Sequence, residues 1–222
     1  MSTALEQARD PAYPAYSRAE RIADAVVHVS GVVAAIVGVS LLFALWAWRM
    51  DGATLTAAIV YSGTLVVMLS ASAAYHLGAH TRLRPILRRL DHAAIYVKIA
   101  GTFTPLAAML GSLFGYVLLG VIWALALVGA AMKILTKPGR MTDGWAPYLA
   151  LGWAGVALFV PLTGVLPGAS LWLILAGGLA YTAGIVFYRW ERLRFSLAIW
   201  HGFVLGGTAC FFVGITMAAA SV

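Results

Sequence analysis

The sequence predicts an all-α integral membrane protein: one bundle of seven transmembrane helices, with the N-terminus cytoplasmic and the C-terminus extracytoplasmic. Three observations carry this reading. Of 222 residues, 62% are hydrophobic and 10% charged, too few charges to wet the surface of a soluble domain. The apolar residues fall into seven runs. Each is near the ~20 residues a helix needs to cross a hydrocarbon layer about 30 Å thick, where lipid can satisfy no exposed backbone N–H or C=O. Finally, Lys and Arg in alternate separators stand at 13 to 1, and such an asymmetry marks the cytoplasmic loops.

The runs are Ala23 to Trp48, Ala53 to Leu77, His92 to Leu110, Leu113 to Leu135, Trp145 to Val165, Ala169 to Phe187 and Ser196 to Ala220. On the basic side lie Arg9, Arg18 and Arg21, then Arg82, Arg84, Arg88 and Arg89, then Lys133, Lys137 and Arg140, then Arg189, Arg192 and Arg194; the other side has Arg49 alone. An even number of crossings would break this alternation. The division expected is a short cytoplasmic segment over 1–21 and a single membrane domain over 22–222, since the separators leave no room for another. The first residues carry charges and two prolines and do not resemble a cleavable signal, so the first apolar run is expected to act as its own anchor. Ser17-Arg18-Ala19-Glu20 reads as a capping box that starts the first helix just before the membrane. Gly202-x-x-x-Gly206 is a candidate close helix approach, although the motif carries little weight among 23 glycines. Pro105 and Pro161 are expected to kink the third and fifth helices. The net charge of +7 is spread over these short clusters, which argues for orienting the chain and against a nucleic-acid partner. A single cysteine, Cys210, excludes an intramolecular disulfide.

Ionisable residues are costly in a bilayer, so those that remain are the best functional pointers. His28 lies early in the first helix with Asp24 one turn before it; His76 ends the second; Asp91 and His92 begin the third; His201 lies early in the seventh. The second helix runs opposite to the other three, so His28, His76, Asp91 and His201 all fall at the cytoplasmic end. Histidines and a carboxylate from separate helices form the ligand set of a zinc site, and zinc would supply hydroxide near neutral pH. Ser72, one turn before His76 on the same face, could hydrogen-bond a ligand or a substrate. Beside this stand plainer readings. His80 and His92 fit the headgroup level, Asp91 fits a helix start favoured by the dipole, Glu20 fits a cap, and Lys98 could pair with Asp91 or snorkel to an edge.

Glu20 to His28 (ERIADAVVH), Ser72 to His76 (SAAYH), Leu90-Asp91-His92 followed by IYVKIAGTFTP, and IWHGFVLGG around His201 resemble the haemolysin III family over nearly the whole chain. That family is grouped with the progestin and adiponectin receptors and, more distantly, the alkaline ceramidases, which implies a seven-helix bundle with zinc near the cytoplasmic face. By resemblance, His76 and His201 look like zinc ligands, Asp91 like a direct or water-mediated partner, and Ser72 like the serine of the same site. The chain departs from the receptor pattern at Leu197 and Phe211, where histidines are expected. Either Asp91 coordinates directly with His28 turning inward, or the metal is weak or lost. Two functions follow. One is a zinc-dependent hydrolase of lipid amide or ester bonds, with His28, His76, His201 and Asp91 at the ion and Ser72 assisting. The other is a non-catalytic regulator or receptor-like protein in which the cluster fixes the bundle. A pore ranks last, because no polar stripe runs from end to end. The expected partners are membrane lipids, and the expected location is a bacterial cell membrane.

Overall fold

A computed structural model describes residues 16–136, 141 and 144–221. Arg9, Lys137 and Arg140 of the basic clusters, and most of the expected N-terminal segment, lie outside the described residues. The helices are α1 (Arg18–Trp46), α2 (Gly52–Leu77), α3 (Arg84–Leu110), α4 (Leu113–Leu135), α5 (Ala146–Leu162, in two halves), α6 (Gly168–Arg189) and α7 (Ser196–Ser221). Six of these are long and apolar enough to cross a membrane, and α5 is shorter. No strand occurs among the described residues.

Local chemistry sets the ends. Ser17 accepts from the N–H of Glu20 while Glu20 accepts from the N–H of Ser17, so the expected capping box closes α1. Asp51 caps α2 through Thr54 at 2.7 Å, and these bonds hold its carboxyl below the usual carboxylate range. Between α3 and α4, Gly111 takes the left-handed conformation at φ 59° and Ser112 caps the next helix. This is why two residues suffice for that turn.

Two sequence expectations change here. α3 begins at Arg84, two turns before His92, because Pro85 in its first turn has a backbone pre-set for helix. Asp91 is therefore an inward-facing residue within the helix, 6% exposed, not a residue of its dipolar N-terminus. α5 is interrupted at Ala154–Gly155, ahead of Pro161. The N–H of Gly155 bonds three residues back to Gly152 at 3.2 Å, and a Cβ on Gly155 would stand 2.7 Å from the Phe103 ring of α3. Close packing on α3 places the break.

α3 is the central element. It packs against α2, α4, α5 and α7, and 61% of its most apolar stretch is buried, against 22% for α1, α4 and α6. α1 touches α2 and α7, bringing the first and last helices together. α6 and α7 cross backbone against backbone: a Cβ on Gly177 would meet the carbonyl oxygen of Gly207 at 2.9 Å, and the reverse distance is also 2.9 Å. Gly202 and Gly206, the pair suggested by the sequence, face open space. Their four-residue spacing is real, but it lies off the face that α6 contacts.

Lys98 is buried at 4% exposure and pairs with neither Asp91 nor an interface. Its ammonium donates to the Tyr181 hydroxyl of α6 at 2.6 Å, and that hydroxyl shares a 2.7 Å bond with Thr208 of α7. The Tyr181 and Phe211 rings stand 4.6 and 5.3 Å from the charge. Aromatic faces and a hydroxyl thus take the part of a counter-ion and tie α3 to α6 and α7.

Two predictions follow from this packing. Gly177→Ala and Gly207→Ala should each destabilise the detergent-solubilised protein by about 1–3 kcal/mol through overpacking, whereas Gly206→Ala should leave the melting midpoint unchanged or raise it. Equal effects at all three positions would refute the assigned crossing. Tyr181→Phe should cost about 1–3 kcal/mol by leaving the ammonium without its acceptor, and adding Lys98→Met should recover most of that loss. A double variant as unstable as Tyr181→Phe alone would show that the hydroxyl serves something other than Lys98.

Candidate metal centre

The inward face of α1 reads Asp24, His28, Gly31, Ala35 and Leu42, a helical spacing that puts a carboxylate and an imidazole one turn apart on the buried side. His76 arrives from the last turn of α2 and His201 from the second turn of α7. Gly31 lets Leu205 of α7 come within 3.3 Å of where a Cβ would stand, so α1 and α7 approach closely beside the cluster. The first turn of α1 is also tied to the start of α7, because Glu20 Oε1 accepts from the N–H of Phe195 at 3.1 Å. Phe195 adopts φ 62°, a conformation that a residue with a Cβ keeps only when its surroundings hold it. Glu20 is therefore a cap and a strut.

Asp24, His28, His76 and His201 offer one ligand atom each, all within 4.8 Å of one another. The three imidazoles stand with centroids 4.4 to 4.5 Å apart. Asp24 Oδ1 lies 2.6 Å from His201 Nδ1, and its Oδ2 lies 3.0 Å from His76 Nδ1 and 3.7 Å from His28 Nε2. Asp24 and His28 are 4% and 6% exposed. His28 Nε2 is buried without a hydrogen-bond partner, which is costly unless something binds there. Three imidazoles and a carboxylate suit zinc in donor type and number. Asp24 can serve as the fourth ligand or as the carboxylate that orients two of the imidazoles.

Of the residues expected at the site, His28, His76 and His201 come together. Asp91 is not a member of the group, although it is close enough to His201 and Tyr75 to act on them electrostatically, and it lies 3.6 Å from His92 Nδ1. Ser72 is half-buried one turn before His76. His92 Nδ1 is bonded to the Arg88 carbonyl one turn back at 2.9 Å. The residue the site prediction left out is Asp24. The signal was its four-residue spacing from His28 at the same depth. Leu197, standing where a receptor histidine was expected, lines a small cavity with Asp24, Glu20 and Tyr16; the side of the cluster that lacks an α7 ligand is thus the side where the Asp24 carboxylate sits. Burial, with the neighbouring carboxylates of Asp24, Glu191 and Glu20, pushes the Tyr16 phenol up to about 12. At neutral pH it remains a protonated donor at this mouth.

The sequence matches the family model described as haemolysin-III related over residues 17–212, a range that contains every residue of the cluster. It is 35% identical over 194 residues to the Hemolysin-3 homolog of Bacillus subtilis (strain 168), covering 87% of this chain and 91% of that one. It is equally 35% identical over 194 residues to the Hemolysin-3 of Bacillus cereus, covering 87% and 89%. With a multi-pass helical fold and matches of this extent, the chain belongs to the haemolysin-III related family of membrane proteins.

Proposed function

We propose that this chain is a zinc-dependent hydrolase that cleaves an amide or ester bond of a membrane lipid. The observation carrying this reading is the convergence of three imidazoles and a carboxylate from α1, α2 and α7, with one buried imidazole nitrogen unpartnered. His28, His76 and His201, with Asp24, would hold the ion. When bound, zinc supplies Lewis acidity and lowers the pKa of water toward neutrality. The remaining work falls to the chain. Asp24 fixes the ring orientation of His76 and His201 through its two oxygens. Ser72, one turn before His76 on α2, would hydrogen-bond the carbonyl oxygen of a substrate. Asp91, buried on α3 and within electrostatic reach of His201 and Tyr75, would accept and return a proton.

One observation favours a second reading, a non-catalytic regulator or receptor-like protein. Asp24 already satisfies two histidines by direct hydrogen bonds, so the cluster can fasten α1, α2 and α7 together without an ion. The 13-to-1 distribution of basic residues supports placing the cluster at the cytoplasmic end, with the N-terminus inside and the chain in a bacterial cell membrane.

Zinc analysis of the purified protein separates the two readings. About one equivalent is expected in the wild type, with a clear loss in His76→Ala and His201→Ala. Ser72→Ala and Asp91→Asn should keep the metal yet slow hydrolysis of ceramide or phospholipid in nanodiscs by about 10²–10⁴-fold. Equal zinc in wild type and both histidine variants would remove the metal reading, and full zinc without turnover would select the regulator. For orientation, alkaline phosphatase fused after Val222 should be active and the same enzyme fused at Gly144 silent. The opposite pattern would invert the topology.

A further inference from the structure

We infer that the groove between the basic ends of α1 and α2 is a binding site for an anionic phospholipid, whose phosphate sits between Arg18, Arg21 and His80. This deepens the proposed function by naming the substrate class and its route to the cluster, and for turnover alone it rests on that reading.

The groove, about 310 Å³, has a cationic rim of Arg18, Arg21 and His80, an apolar wall that includes Ile22 and Leu77, and an inner side where Asp24 and His76 of the cluster reach it. It is therefore an opening that leads to Asp24 and His76 of the cluster. Arg21 Nη1 lies 3.1 Å from His80 Nε2, which spans the mouth from α1 to the segment after α2. A phosphate is a better acceptor for a guanidinium than a ring nitrogen, because it is charged and can take two parallel N–H donors. Glu20, the carboxylate nearest in sequence, makes its hydrogen bonds to Ser17 and the N–H of Phe195 and not to Arg18 or Arg21, and Asp24 on the inner side is turned to His76 and His201, so neither carboxylate takes up the guanidinium donors of the rim.

The occupant is a lipid, on the evidence of what continues from the rim. Arg18, Ile22, Val26, Val29 and Val33 follow one another at four, four, three and four residues, which puts them on one face of α1. The four apolar members are between 50% and 60% exposed. A phosphate held at Arg18 thus has a continuous apolar track leading away from it into the membrane. That matches an amphiphile with a charged head and acyl chain, and a soluble phosphate ester would leave the track unused. Two guanidinium groups at the rim also oppose a choline or ethanolamine cation beside the phosphate, so the chemistry favours a net-negative headgroup such as phosphoglycerol.

The test is lipid binding to the full chain, read by native mass spectrometry after purification and again in vesicles of phosphatidylcholine with or without phosphatidylglycerol. Wild type should prefer phosphatidylglycerol by about tenfold or more. Arg18→Gln with Arg21→Gln should lose that preference and retain zinc. Arg189→Gln with Arg192→Gln, which removes two arginines from the other rim of the same end, should keep it. Equal retention of the two lipids by wild type, or an undiminished preference in the first double variant, would overturn the site. So would an equal loss in the second, because general surface charge would then explain the effect. Competition by soluble glycerol phosphate as effective as by the lipid would overturn the choice of occupant. Intact preference without any turnover would strike the hydrolase reading and leave this site standing.

Discussion

A carboxylate and three imidazoles in the interior of a membrane bundle are tolerable only if they satisfy one another or share an ion. Asp24 is the hinge of that condition. Its two oxygens reach His201 and His76 from two other helices, and His28, one turn along the same helix, closes the group. Because α1, α2 and α7 are brought to one depth by this contact, the meeting of the first and last helices, the strut from Glu20 to Phe195 and the close approach at Gly31 all serve the same geometry.

The rest of the bundle is arranged around α3, which carries no member of the cluster but packs closely on α2, α4, α5 and α7 and reaches α6 through Lys98. Its Phe103 ring packs on Gly155 where α5 is interrupted, and its buried Lys98 is fastened by Tyr181, which is bonded in turn to Thr208. Among the buried polar groups are thus the cluster at the basic end and Lys98 deeper along α3. The first has the donor set of a metal site. The second is a cation satisfied by a hydroxyl and aromatic faces, a structural device that requires no counter-ion.

Much of the architecture was legible in the sequence because the signals were long and physical. Seven apolar runs gave seven helices, and Gly111-Ser112 and the Ser17–Glu20 box gave their turns and caps. The start of α3 was misplaced because four arginines around Pro85 look like loop, whereas proline in a first turn favours helix and three of those arginines lie within it. Gly202 and Gly206 misled because a four-residue spacing states a shared face without saying whether a neighbour lies on it; Gly177 and Gly207, from different helices, form no local pattern at all. At the site, three histidines were found by counting ionisable residues at one depth. The carboxylate was read as Asp91, from its depth at the cytoplasmic end and then from the resemblance, while Asp24, one turn from His28, had the geometry. Depth could be read from topology, but direction around the α3 axis depended on where that helix began.

The most direct measurement is zinc K-edge X-ray absorption on the purified, zinc-loaded protein. Four nitrogen or oxygen ligands at about 2.0–2.1 Å, with the multiple-scattering signature of three imidazoles, is the result expected for an ion held by His28, His76 and His201. A spectrum showing a single imidazole, sulfur ligation through Cys210, or the same coordination after His28→Ala would contradict the claim that these three helices meet at one metal.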